Sequence, residues 1–127
     1  MKCRIILELL AILFFTGCYN REQISRLDEA EALIQNKPDS ALTILQQLKS
    51  EGSQAEQARY ALLYSEALDK NHIKATNDSL IRRAWEYYKH HPKDLRRQCK
   101  TLYYWGKVKL RAGDKPGALR LYLKVEE

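Results

Sequence analysis

The sequence predicts an all-α protein, a short right-handed solenoid of three antiparallel helix pairs behind an N-terminal signal segment. Three observations predict it. Five Gly and three Pro in 127 residues are too few for the turns of a sheet-rich fold, and good helix formers (Leu, Ala, Lys, Arg, Glu, Gln) dominate instead. Apolar residues then recur at helical spacing in successive stretches. Finally, the starts of alternate stretches repeat. Asp39-Ser40-Ala41-Leu42 and Asp78-Ser79-Leu80-Ile81 lie 39 positions apart, and Gly117-Ala118-Leu119 follows 38 further on. Three helix pairs at that period suggest stacked units, each burying its apolar face on the next.

Taken in order, Met1-Lys2-Cys3-Arg4 is a basic start, Ile5 to Phe15 an apolar run, and Phe15-Thr16-Gly17-Cys18 a small-residue end. That order is a secretory signal. The run is far short of the ~20 residues that span a bilayer. Its end resembles a bacterial lipobox, which is cut before a cysteine that receives lipid, palmitate included. Thr16, Gly17 and Cys18 fit it, while Phe15 stands where Leu is usual and Glu8 puts a charge in the apolar run. The expected organisation is a lipoprotein signal peptide over 1–17, the lipidated Cys18 and a tether over 18–25, and a helical repeat domain over 26–127. Cys3 leaves with the signal and Cys18 becomes a thioether. Cys99 is then left alone, without a disulfide partner or a CxxC motif, and reads as a small apolar residue of a helix.

The first helix carries Leu27, Ala30, Leu33 and Ile34 at helical spacing. Asn36-Lys37-Pro38-Asp39-Ser40 stops it and starts the second, because Pro and acidic residues suit a first turn. Ala41, Leu42, Ile44, Leu45 and Leu48 form the second helix's apolar face, and Glu51-Gly52-Ser53 ends it. A third helix runs from about Gln54 to Lys70, packing through Ala58, Ala61, Leu62, Tyr64, Ala67 and Leu68. After the loop 71–77, Asn77-Asp78-Ser79 caps a fourth helix in which Leu80, Ile81, Ala84, Trp85 and Tyr88 face inward. The same triplet fits a glycosylation sequon, but capping explains its residue types without one. Pro92 ends that helix. A fifth, Lys93 to Ala112, and a sixth, Pro116 to Val125, complete the chain.

The last pair, Leu102 to Val125, resembles a tetratricopeptide repeat, the helix–turn–helix unit of roughly 34 residues. Leu102, Trp105, Gly106, Ala118 and Tyr122 stand at its packing positions. Small Gly106 and Ala118 let two helices approach, with Leu102, Trp105, Leu119 and Tyr122 as the bulk around them. Lys109 replaces the usual aromatic and Val125 the usual final alanine. More broadly, the exported portion resembles a family of Bacteroidetes tetratricopeptide-repeat lipoproteins. The resemblance rests on Lys37-Pro38-Asp39-Ser40-Ala41-Leu42, Tyr60-Ala61-Leu62-Leu63, Asp69-Lys70, Asp78-Ser79-Leu80-Ile81, Tyr87-Tyr88 and Tyr103-Tyr104-Trp105-Gly106. Members commonly continue through further repeats, some to a membrane helix and a signalling region. This chain stops at Glu127, directly after a second helix and without a polar helix to close the last apolar face. The expectation is a truncated product, or an open end covered by a partner, with self-association through the C-terminal helix among the outcomes.

No catalytic signature is present: no HExxH, no Gly-rich phosphate loop and no Gly-x-Ser-x-Gly. Adjacent His90 and His91 point in different directions on a helix, and His72 sits in a polar loop. The expectation is a non-enzyme without cofactor or metal. Charge is uneven. From Tyr19 to Leu80 seven Lys/Arg face ten Asp/Glu, a net of −3; from Ile81 to Lys124 thirteen face three, a net of +10. A basic block attracts acidic partners. Outside the cytoplasm these are acidic protein, anionic headgroups or polyanionic glycan rather than nucleic acid, and a merely solvated or internally neutralised surface is the competing reading. In tetratricopeptide arrays the first helix of each pair lines a groove. The resemblance places Lys100, Tyr103 and Lys107 there from the last unit, and Gln57, Tyr60 and Tyr64 from the middle one. Tyrosine suits peptide recognition, but Tyr60 and Tyr103 suit an inter-repeat core equally. The function expected is a lipid-anchored periplasmic scaffold that binds a protein segment. The alternative is a truncated sensory ectodomain of a membrane-associated regulator.

Overall fold

The protein is all-helical. A computed structural model describes the backbone from Lys2 to Glu127 and the side chains of residues 2–10 and 21–127. Among the described residues there are six helices and no strand: α1 Lys2–Leu33, α2 Pro38–Gln47, α3 Gln54–Lys70, α4 Ser79–Tyr88, α5 Leu95–Arg111 and α6 Lys115–Glu126. Cys18, the expected lipid-bearing residue, lies outside the described side chains. The stretch 18–25, expected as a tether, is helical and continuous with α1. Its last part joins the packed body, because Gln23 is buried and its Nε2 donates to the carbonyls of Lys49 and Glu51, both at 2.9 Å. No helix among the described residues is long and apolar enough to cross a membrane.

Local chemistry sets the joints. The Lys37 N–H donates to the Leu33 carbonyl at 2.7 Å, and Pro38 opens α2, where its missing N–H is no loss. Ser53 caps α3 by accepting the Glu56 N–H at 3.2 Å. Asn71 closes α3 and reaches back to the Pro38 carbonyl at 2.9 Å, tying that end to the start of α2. Asp94 and Asp114 cap α5 and α6 through the Arg97 and Gly117 N–H groups. Gly113, at φ +86°, makes the left-handed turn between these last two helices at no steric cost.

The helices pack in a regular order. α1 packs on α2, α3 on α4 and α5 on α6. Each of α2 and α4 also contacts the helix that follows it, and α3 touches both α1 and α5. Two apolar clusters result. One joins Leu27 and Ala30 of α1, with Ile34 just past its end, to Leu42 and Leu45 of α2 and to Tyr60 and Leu63 of α3. The other joins Ala58, Ala61 and Leu62 of α3 to Ile81, Ala84 and Tyr88 of α4 and Tyr104 of α5. Between α5 and α6, Leu102, Ala118 and Leu121 are buried. A Cβ added to Gly106 would lie 2.4 Å from the Tyr122 ring, so the ring sits where only glycine leaves room. Leu119, expected beside this contact, is instead 58% exposed, and Leu121 supplies the bulk.

Candidate binding surfaces

α1, α3 and α5 meet along a ladder of ion pairs. Arg59 of α3 bonds Asp28 and Glu31 of α1, and Arg97 of α5 reaches the same Glu31 at 3.5 Å. Burial works against the charge of Glu31. The Arg59 hydrogen bond and the Arg59 and Arg97 charges outweigh it, holding the carboxyl below its ordinary value. Lys100 lies 2.9 Å from the carboxylate of Glu66, whose side chain is fully buried. Gln35, two residues past the end of α1, donates to that carboxylate at 3.1 Å. Burial, with the Glu66 carboxylate close by, pushes the Tyr104 hydroxyl up and keeps it protonated. Lower on the ladder, Lys107 and Arg111 pair with Asp69 at 3.5 and 2.9 Å. Glu66 was not singled out from the sequence, though it interrupts the apolar run Ala61-Leu62-Leu63 … Ala67-Leu68. A carboxylate inside such a run is the signal of a buried pair.

The ladder decides where the expected groove residues stand. Lys100 and Lys107 are engaged with α3 carboxylates, and Lys107 also lies over the Tyr103 ring at 5.9 Å. Tyr60 is buried, its hydroxyl donating to the Leu45 carbonyl at 3.3 Å, and burial raises its pKa. Tyr64 tilts against it with ring centres 5.6 Å apart. Tyr103 is exposed, 6.0 Å from the Tyr122 ring. Of the six, Tyr60 belongs to the core, and Lys100 and Lys107 are paired within the molecule. Tyr104, not Tyr103, occupies the inter-helix position that Tyr60 fills one unit earlier, since both are buried against a preceding second helix.

Gln57 lines an open cleft of about 380 Å³ with Ala58 of α3 and Arg83, Tyr87, His90 and His91 of the α4 region. A second cleft of about 370 Å³ lies between Ile24, Ala55, Arg59, Tyr87, Tyr88 and Arg97. Tyr87 borders both. The His91 ring stacks on it at 3.9 Å, and His91 Nδ1 lies 2.7 Å from the Tyr87 carbonyl, which fixes the pair as one flat surface. Arg59 Nε is buried without a hydrogen-bond partner among the described residues. The double cleft thus offers stacked rings flanked by both signs of charge, Arg83 with Glu86 in one half and Arg59 and Arg97 with Glu56 and Asp94 in the other, a surface able to hold an extended segment. In the sequence Tyr88 reads as inward-facing, as it is here, and Tyr87 stands out only as part of the Tyr87-Tyr88 pair.

Among the described residues no group of three His, Cys, Asp or Glu side chains could hold a metal ion. Comparison of the chain with models of protein families, with curated proteins and with solved structures finds no match.

Proposed function

We propose that the chain is a lipid-anchored scaffold of the tetratricopeptide type, held at a bacterial membrane through Cys18 and facing the periplasm, where it binds a protein segment rather than catalysing a reaction. The observation that carries the reading is the packing order. α2 and α4 are each wedged between their own first helix and the next, as second helices are in a solenoid of stacked pairs. Such arrays act through extended surfaces. Here the double cleft, lined by the stacked Tyr87 and His91 rings, is the candidate for such contact, whereas Lys100 and Lys107 spend their charges inside the molecule. Of the arginines bordering the cleft, Arg59 and Arg97 are paired with carboxylates, and exposed Arg83, bonded to the Ser50 hydroxyl, is the one whose charge can meet an acidic segment.

Two measurements test the two halves of this proposal. Cys18→Ser should move the protein from the membrane pellet to the soluble periplasmic fraction; unchanged membrane retention refutes the anchor. For binding, a photoreactive side chain in place of Tyr87 should give a discrete cross-linked adduct in cells. The same group at exposed Thr43 of α2 should not. Equal or absent adducts at both positions refute the cleft.

A further inference from the structure

We infer that the body stands on the membrane, resting the end that holds the α2–α3 loop and the α4–α5 turn on anionic phospholipid headgroups. The inference rests on the Cys18 anchor proposed above. It adds which end of the body faces the bilayer and what holds it there.

That end is one surface built from several helices. Ile24 of α1, Ser53 and Ala55 at the start of α3, Tyr88 at the end of α4 and Asp94 at the start of α5 border a single cleft. Hydrogen bonds tie the same parts together. Gln23 donates to the carbonyls of Lys49 and Glu51, Arg83 of α4 to the Ser50 hydroxyl at 3.3 Å, and Gln98 of α5 to the Tyr88 carbonyl at 2.8 Å. The opposite end holds the Asn71 bond to the Pro38 carbonyl and the loop that carries Lys74.

Chain length limits the orientation. Gln23 is buried, so the packed body begins five residues after Cys18. Five residues reach at most about 18 Å when fully extended. α3, with 17 residues, is ~25 Å long. The tether is shorter than the body, and the far end cannot reach the bilayer. Two poses remain, upright on the near end or lying along α1, the helix that leads from the anchor.

Charge decides between them. α1 exposes Glu22, Asp28 and Glu29, and Arg59 and Arg26 are already paired with the last two. That side offers an anionic surface only carboxylates and spent cations. At the near end, Arg21, Lys49, Lys89 and Lys93 are exposed against Glu22 and Glu51, with His90 and His91 beside them. Lys89 shares its charge with Glu86 at 2.7 Å. Cations held this close to an anionic leaflet lie within its surface potential. Helix pairs stack through their faces and leave their turns open, so a longer array would not cover this end. The double cleft lies at the same end, which sets its ligand beside the headgroups.

The test places a photoreactive side chain in the full chain, in cells, at one of three exposed positions: His90, Lys74 at the far end, or Glu29 on the α1 side. Phospholipid adducts are scored by mass. His90 should give at least ~5-fold more adduct than either other site, and Lys49→Glu with Lys93→Glu should cut its yield by a similar factor. Both lysines are exposed, so that variant's melting curve should match the parent's. Equal yields at His90 and Lys74, or the highest yield at Glu29, overturn the proposal. So does a His90 yield that ignores the charge reversal, because the tether alone then sets the contact. Absent adducts from a chain found in the membrane pellet refute the resting end and leave the anchor standing. A chain found in the soluble fraction refutes the anchor, and this inference falls with it.

Discussion

Removing the Lys100 ammonium should destabilise the protein far more than removing a surface charge. Glu66 has no exposed side-chain surface, and its carboxylate is held by Lys100 at 2.9 Å and Gln35 at 3.1 Å. Lys100→Ala would leave that carboxylate buried with only neutral donors, Gln35 and the Tyr104 hydroxyl. Breaking a buried pair from one side costs ~3–5 kcal/mol, because the remaining charge has lost water and gains nothing in return. Lys100 itself keeps 25% of its side-chain surface exposed. Water can therefore enter beside the carboxylate when the ammonium is gone, which puts the expected cost at the lower end, about 3 kcal/mol. For a body of roughly 100 residues this corresponds to a fall in Tm of about 12 °C or more. Replacing both members, Glu66→Leu with Lys100→Met, should return stability to within ~1 kcal/mol of the parent, since no charge is then stranded. Urea denaturation followed by circular dichroism reads both changes. A Lys100→Ala loss below ~0.5 kcal/mol, the worth of a surface pair, would refute the reasoning. So would a double variant as unstable as the single one.

Two further outcomes follow from the packing and the ladder. Gly106→Ala should cost about 1–3 kcal/mol in a thermal melt, because its Cβ would overlap the Tyr122 ring. The cost should vanish in a Tyr122→Ala background; an equal cost there would place the strain elsewhere. The depressed carboxyls of Glu31, Asp78 and Asp94 make the folded state bind fewer protons than the unfolded one. Their contribution is complete above the unfolded carboxylate value, about 4, and is lost as pH falls through the lower folded values. Stability should therefore drop below about pH 5, and Arg59→Met should flatten that drop; an unchanged profile would show that the Arg59 pairs do not matter.

Helix limits were legible because they depend on local chemistry. Pro38 starts α2, Ser53 caps α3 and Gly113 turns the chain into α6. All three act within a few residues of themselves. The rotation of each helix was less legible. Tyr103 and Tyr104 both fit a helical period, yet neighbours on a helix differ by about 100°, and the packing of α5 on α3 and α4 decides between them. It buries Tyr104 and leaves Tyr103 out. Asp78 shows the same limit. Its place before α4 suggests a cap, but its carboxylate accepts from the Trp105 indole at 3.0 Å and lies 3.4 Å from Lys109, so it joins α4 to α5. Asn77 instead accepts the Ser79 N–H. The ion-pair ladder was hidden for the same reason, since its partners lie 28 to 66 positions apart.

The uneven charge of the chain finds its account in that ladder. An acidic first half and a basic second half look, in sequence, like a surface awaiting an acidic ligand. In the fold much of the excess is spent internally, with Arg97, Lys100, Lys107, Lys109 and Arg111 of α5 all reaching carboxylates on α1, α3 or the α4 start. Charge segregation therefore works first as an assembly rule. A basic α5 is drawn to the acidic side already built by α1 and α3, and a helix of the wrong sign is disfavoured there. Arg96, Lys115, Arg120 and Lys124 remain exposed, so the charge left over lies along α5 and α6, while Lys100 and Lys107 of the expected groove are paired within the molecule.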